Sequence, residues 1–508
     1  MVNKRPNILF IMADQLTAGA IGAYDSVVRT PHIDALAADG VLFNNFYCNS
    51  PICAASRASM MTGQYPHRVD VYDNGSELGA SVPTFVHMLR HAGYNTILSG
   101  KMHFIGPDQL HGFEERLTTD IYPAAFAWTP DWEKGVDLNE GSNVRPLRDS
   151  GVCNWNLQLS YDEEVHYQSL ACLRREAKRL EADPSQPFFL CASYTHPHDP
   201  FVITDEWWNL YTDEEIPLPF VPKQPTSTMH PYNQWLQHHH GIDQFPLTEE
   251  QIRNTRRAYY GMVSYFDHKV GELVTELKRL GLFEDTIIMV TSDHGEMLGE
   301  HGMWFKRTFY EESIRVPMIA CWSGMTPTGR QIDEIVSLVD LFPTFCDIAD
   351  VPQDDLQALT LDGDSFYPLL LDGDPSWKNH AYIEYCGEGV LEPMRALRQE
   401  QYKYVIVETL SPLFFDLAHD PHEQQNISGR HHAAEDQLAQ HIRLGWDERL
   451  TEKVMRSQKQ RRFLHAALQG GHQTSWDYQT QPDASRRYIH TSTQGEKIQS
   501  RLPFVEAD

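Results

Sequence analysis

Cys53 and Arg57 stand four residues apart, one helical turn, directly after Ser50-Pro51-Ile52. If a helix begins at Cys53, its thiol lies among backbone N–H groups without intrahelical acceptors, at the positive end of the dipole. Arg57 then shares its face, and the pair suits an encounter with an anion. The same spacing also describes a buried structural thiol near an arginine, and the pair alone does not separate the two readings.

Other polar residues with suitable chemistry follow apolar runs. The run 7–15 delivers Asp14, and the run 94–99 leads into Gly100-Lys101-Met102-His103. The run 187–194 precedes Thr195-His196-Pro197-His198-Asp199, and 286–292 precedes Asp293-His294-Gly295. Short continuous apolar runs predict strands buried on both faces, and the amphipathic stretches 84–92, 162–180 and 249–280 predict helices between them. Strands alternating with helices define an α/β class with a large sheet, in which ligands collect at the carboxyl ends of the strands. Asp14, Lys101, His103, His196, Asp293 and His294 are therefore directed to one crevice.

The rest of the chain frames that crevice. Its 508 residues suffice for a large core and a smaller second unit. The 42 Lys and Arg against 70 Asp and Glu leave a net charge of −28, which argues against nucleic acid or an anionic membrane surface as partner. An anionic substrate must be drawn by a local basic site. The first residues run almost at once into the first apolar run, and no stretch approaches the ~18 apolar residues of a membrane span, so a soluble cytoplasmic protein is expected. Eight scattered cysteines predict reduced core residues rather than a disulfide framework.

Past residue 375, short alternating runs at 381–385, 394–398, 402–407 and 413–417 predict a small antiparallel sheet followed by an acidic helix. The expected organisation is a catalytic domain over 1–375, a small α+β domain over 376–450 and a tail over 451–508 that needs a surface, which suggests a homo-oligomer (dimer or tetramer). His238-His239-His240 reads as a solvated loop.

The stretch 50–63 resembles the signature Cys-x-Pro/Ala/Ser-x-Arg of the sulfatases, with Ala55 where most members have proline. Arg5-Pro6-Asn7-Ile8-Leu9-Phe10, Thr30-Pro31-His32-Ile33-Asp34, Gly100-Lys101-Met102-His103, Ser292-Asp293-His294-Gly295 and Leu413-Phe414-Phe415-Asp416-Leu417 are similar to the same family. More narrowly, 99–103 with 106–123, 195–200 and the tail segment Ala484-Ser485-Arg486-Arg487-Tyr488 resemble choline sulfatases. The resemblance implies an alkaline phosphatase-like fold and sulfate monoester hydrolysis. It implies that a formylglycine-generating enzyme oxidises Cys53 to formylglycine, whose hydrate attacks sulfur. Asp14, Asp293, His294 and residue 53 would hold Ca²⁺, or Mn²⁺ given the imidazole; many sulfatases have a second aspartate where Gln15 stands.

Further roles follow from the resemblance. Arg57, Lys101 and Lys306 would neutralise the sulfate, with Asn74 a further contact. His196 would protonate the leaving oxygen, and His103 would take the proton lost as sulfate is expelled. Trp128 and Glu388 would hold the quaternary ammonium of choline by an aromatic face and a carboxylate. Arg145 and Arg148 would repel that cation if they faced it. The competing readings are an aryl sulfatase or phosphonate or phosphate diester hydrolase with the same nucleophile, and a non-catalytic protein that binds sulfated ligands.

Overall fold

The computed structural model describes residues 5–138, 143–371, 373–430 and 433–468. Its main sheet has eight strands: β1 (Asn7–Ala13), β2 (Val41–Tyr47), β3 (Asn95–Gly100), β4 (Glu115–Arg116), β5 (Phe188–Ser193), β6 (Thr286–Ser292), β7 (Met318–Cys321) and β8 (Arg330–Ser337), ordered β8-β2-β7-β6-β1-β5-β3-β4. β7 runs antiparallel to both neighbours, so the sheet is mixed. Its central four strands, β6-β1-β5-β3, are all parallel. All four predicted apolar runs are in this group, and their parallel alignment brings their carboxyl ends to one edge.

Strands buried on both faces need cover on each side. The helices that matter are α1 (Pro31–Asp39), α2 (Cys53–Thr62), α3 (Phe85–His91), α4 (Leu157–Ala182), α5 (Pro231–His239), α6 (Glu249–Arg279), α7 (Leu341–Ile348), α8 (Ala433–His441) and α9 (Leu450–Leu468). α1, α4 and α6 pack together, and α2, α3 and α7 form a second group. The second group joins the sheet at an aromatic knot in which Phe345 meets Phe10, Phe85 and Phe189 with ring centroids 4.7–5.5 Å apart. Such pairs add about 1 kcal/mol each beyond the area they bury.

The second sheet is antiparallel, β9 (His380–Tyr385), β10 (Met394–Gln399), β11 (Tyr402–Val407) and β12 (Leu413–Asp416) in that order. Its period-two pattern serves two cores. On β11, Val405 and Val407 join the main core while Tyr404 and Ile406 pack with Leu438 of α8 and Ile442.

Two expectations change here. The start of the 451–508 tail is helix α9, which docks on this same chain beside Phe126–Trp128; the segment 484–488 lies outside the described residues. His238-His239-His240 is not a solvated loop. It closes α5, with His239 and His240 buried, and His239 Nδ1 donates to the Asp137 carbonyl at 2.7 Å. Burial holds both imidazoles well below their usual range, so they pack as neutral groups. Among the described residues no helix is long and apolar enough to cross a membrane, and all eight cysteines are free.

Candidate active site

Three of the four central strand ends supply the floor of the site. β1 delivers Asp14 and Gln15, β3 delivers Lys101, and β6 delivers Asp293 and His294. Gly100 is required at the end of β3: with φ of 112°, any side chain is strained, and a Cβ there would lie 1.9 Å from the Ser193 carbonyl oxygen. α2 opens at Cys53 with all ten of its residues buried, so its free N–H groups point into the protein rather than solvent. Asn74 Oδ1 accepts from the Ala54 N–H at 3.0 Å, and Gly63 closes the helix in the left-handed conformation.

Asp14, Cys53, Asp293 and His294 offer ligand atoms all within 4.8 Å of one another, every residue buried. His294 Nδ1 lies 3.1 Å from the Gly295 carbonyl, which leaves Nε2 free as a donor to a metal, 3.1 Å from Cys53 Sγ. Cations surround the carboxylates. Arg57 Nε donates to Asp293 Oδ2 at 2.8 Å, its Nη1 donates to the Lys101 carbonyl at 2.7 Å and to Ser193 Oγ at 2.9 Å, and the Lys101 ammonium bonds Asp14. Two carboxylates and one neutral imidazole, converging and held by neighbours, fit a divalent ion with a taste for oxygen.

The environment explains the charge states. Burial opposes ionisation of Asp293, but Arg57, His294 and Lys101 more than offset it and hold the carboxyl well below the usual range. Burial drives His294 well below its ordinary value and Lys101 down to about 7. His103 falls to about 3 through burial and then the Lys101 charge, and both its ring nitrogens are buried without a partner. Burial pushes the Cys53 thiol up to about 11, so as encoded it is a weak nucleophile at neutral pH.

Above this floor opens a cleft of about 640 Å³, lined by Cys53, Asn74, Tyr122, Trp128, Leu157, His198, Asp199, Lys306, Arg307 and Glu388 among others. Lys306 Nζ donates to His198 Nε2 at 2.7 Å and to Gln15 Oε1. The Gln15 amide in turn donates to Glu296 Oε2 at 2.5 Å, so Gln15 is an uncharged link between Lys306 and Glu296. One wall is aromatic: Trp128 stands edge-on to Tyr122 with centroids 5.1 Å apart, and Trp128 is 41% exposed toward the opening. On the other wall Arg307 Nε and Nη2 donate to a single oxygen of Glu388 at 3.2 and 2.7 Å. The second Glu388 oxygen is buried and has no hydrogen-bond partner.

Cys53, Asn74, Trp128, Lys306 and Glu388 thus line the cleft; Asp14, Arg57, Lys101, Asp293 and His294 lie beneath it; His103 lies behind Trp128 and Tyr122 with ring centroids 5.6 and 5.3 Å away. His196 is a correction: it does not line the cleft. Its Nδ1 lies 2.6 Å from Asp162 Oδ2 on α4 and its ring packs on Tyr265 of α6, so the buried carboxylate draws it away from the opening. His198, two residues on in the same turn, takes the place beside Lys306. Arg145 and Arg148 are exposed and outside the cleft lining, with Arg148 over the Phe245 ring. The structure adds Tyr122, His198, Asp199 and Arg307 to the site. The signal that could point to His198 is its place two residues after His196 in Thr195-His196-Pro197-His198, and Arg307 is visible only as the neighbour of Lys306.

A model of the sulfatase family matches residues 6–351; a model described as N-sulphoglucosamine sulphohydrolase, C-terminal, matches 299–449, and one described as choline sulfatase enzyme C terminal matches 452–498. The chain belongs to the sulfatase family, within the alkaline phosphatase superfamily, and is a sulfuric ester hydrolase. It is 40% identical over 499 residues, 96% of each chain, to a choline-sulfatase of Rhizobium meliloti (strain 1021). It is 28% identical to an arylsulfatase of Clostridium perfringens (strain 13 / Type A), covering 83% of this chain and 90% of the other. Among solved structures, a phosphonate monoester hydrolase of Agrobacterium radiobacter superposes with a TM-score of 0.66 at 26% identity, covering 90% and 96%. A putative sulfatase of Bacteroides thetaiotaomicron, at 24% identity, shares the fold with a TM-score of 0.68, covering 91% and 94%.

Proposed function

We propose that this sulfatase hydrolyses choline-O-sulfate, with Cys53 oxidised to formylglycine and Ca²⁺ held by Asp14, Asp293 and His294, Mn²⁺ being the alternative that the imidazole admits. The observation that carries the substrate is the pairing, across one cleft above Cys53, of the exposed Trp128 face with the unpartnered Glu388 oxygen. A quaternary ammonium donates no hydrogen bond, so an aromatic face and a nearby carboxylate are what can hold it. Tyr122 extends the aromatic wall, and Arg145 and Arg148 lie away from it. The similarity to a choline-sulfatase over nearly the whole chain supports the same reading.

When present, the ion supplies positive charge beside the sulfate oxygens, and the hydrated aldehyde supplies both the attacking hydroxyl and the second hydroxyl through which sulfate leaves. The chain does the rest. Lys101, Lys306 and Arg57 neutralise charge on the sulfate oxygens as the ester bond breaks, and Asn74, its oxygen engaged by Ala54, has its amide N–H groups left to donate. Burial and the Lys306 charge keep free His198 neutral. A sulfate anion bound beside the two offsets that repulsion, and His198 then carries the proton that the departing choline oxygen needs. His103, neutral and unpartnered, accepts the proton given up as sulfate departs. Maturation requires a formylglycine-generating enzyme. The eight free cysteines agree with a reducing, cytoplasmic location, and Phe463 and Leu464, exposed on α9, with a homo-oligomer.

The test is substrate discrimination. Choline-O-sulfate should be hydrolysed far better than its neutral isostere with carbon in place of nitrogen. Equal efficiency on the two, or a better rate on an aryl sulfate or a phosphonate ester, would replace the cation reading.

A further inference from the structure

Helix α9 lies outside the catalytic sheet, yet two of its buried residues, Gln458 and Arg461, bond to Asp73, Thr129 and Trp132, in or next to segments that line the cleft. Arg461 Nη1 and Nη2 donate to Asp73 Oδ1 and Oδ2 at 2.5 and 2.7 Å, a two-pronged pair in which the carboxylate is fully buried. Asp73 is not free to move: its Oδ1 also accepts from the Gly75 N–H at 2.9 Å and the Ser76 hydroxyl at 3.2 Å. The next residue is Asn74, which lines the cleft and holds the second residue of α2. The same Arg461 Nη1 donates to Thr129 Oγ1 at 3.1 Å, directly after Trp128. The two segments touch at the backbone, since a Cβ on Gly75 would meet the Thr129 backbone nitrogen at 2.7 Å.

One turn earlier on α9, Gln458 Oε1 accepts from the Trp132 N–H at 3.2 Å. Trp132 Nε1 in turn donates to the Gly387 carbonyl at 3.0 Å, beside Glu388. A planar guanidinium with forked donors fixes direction as well as distance, so Arg461 sets the angle between the Asn74 loop and the Trp128 turn.

We propose that Arg461 is a positioning residue for the leaving-group half of the cleft: its fork on Asp73 and Thr129, seconded by Gln458 on Trp132, fixes Trp128 and Glu388, which select the organic part of the ester, relative to the Asn74 loop, whose amide faces the sulfate. It touches no reacting atom. The inference rests on the reading of Trp128 and Glu388 as the walls that hold the organic group. The metal and nucleophile are anchored by strand ends and α2, which this bracket touches only through Asn74. Its loss therefore weakens substrate binding more than turnover.

Arg461→Met alone strands a buried carboxylate and can fail through misfolding. The neutral pair Asp73→Asn with Arg461→Met removes that charge problem and is the decisive variant, with Arg461→Lys as the conservative one. In the folded double variant we expect KM for choline-O-sulfate to rise about tenfold with kcat within about threefold, and 4-nitrophenyl sulfate to be nearly indifferent. Amide hydrogen exchange should quicken about tenfold or more in peptides spanning 73–76 and 126–132 and not in β1 or β6, and Arg461→Lys should recover part of both effects. Unchanged exchange in those peptides, or equal losses on both esters, overturns the proposal. If the parent leaves choline-O-sulfate intact, the substrate reading falls while the exchange measurement still decides the bracket.

Discussion

Lys306 Nζ stands 2.7 Å from His198 Nε2, and the pair faces Cys53 across the floor of the cleft. Burial and then an ammonium that close hold the imidazole well below its usual range, and in the proposed mechanism an entering anion offsets that charge and ties proton delivery to the presence of substrate.

His198→Ala should slow hydrolysis of an alkyl sulfate by about 10²-fold or more while costing a nitrophenyl sulfate much less, because a stable phenolate hardly needs the proton. His196→Ala should show no such leaving-group dependence. It removes a partner from buried Asp162 and should lower the melting temperature instead. Steady-state kinetics on the two esters, with thermal melts, separate the roles; a leaving-group effect at His196 and none at His198 would reverse them.

The Cys53 peptide from protein made beside a formylglycine-generating enzyme should react with an aldehyde-specific hydrazine. Full alkylation of residue 53 as a thiol in the denatured protein, with activity intact, would remove the aldehyde from the mechanism.

Asp293→Asn should abolish both divalent-ion binding, read by calorimetry, and turnover. In chelator it should also destabilise the fold by about 3 kcal/mol, because buried Arg57 loses the nearer of its two carboxylates and keeps only Asp14 at 3.5 Å. Calcium should raise the melting temperature of the parent and leave the variant unmoved. An Asp14→Ala protein that turns over without an ion would sink the assignment of the site.

Asp267 on α6 receives the N–H groups of His32 and Ile33 at 3.1 and 2.7 Å, and burial raises its carboxyl to about 7. The folded chain therefore binds this proton more tightly than the unfolded chain, whose carboxyl titrates near 3.8. That contribution is present at low pH and is lost as pH rises from about 4 through about 7. Asp267→Asn keeps an acceptor for the same donors and cannot ionise. The variant should gain melting temperature relative to the parent as pH climbs from 4 to 8, and a constant difference across that range would contradict the assignment.

Trp128→Ala should cost choline-O-sulfate about 1–2 kcal/mol, roughly ten- to thirtyfold in kcat/KM, since the aromatic face is lost where the cation sits. Glu388→Gln should cost the cationic ester and spare its neutral isostere. Equal effects on both esters would mean that these walls do no more than exclude water.

Much of this protein is legible in its sequence because the relevant physics is local. Buried strands must be continuously apolar and must end where a polar residue leaves the sheet, so Asp14, Lys101, Asp293 and His294 announce themselves, as does Cys53 one turn before Arg57 at the start of a helix. The same period-two logic marks β9 to β12. Tertiary structure alone decided which histidine of Thr195-His196-Pro197-His198 serves the cleft, because the choice depends on Asp162 and Tyr265, carried by helices far away in the chain. It also decided that the histidines ending α5 pack as neutral groups. And it showed that α9, polar enough to read as a tail, is held by Arg461 on Asp73, 388 residues away, an ion pair whose geometry no local pattern encodes.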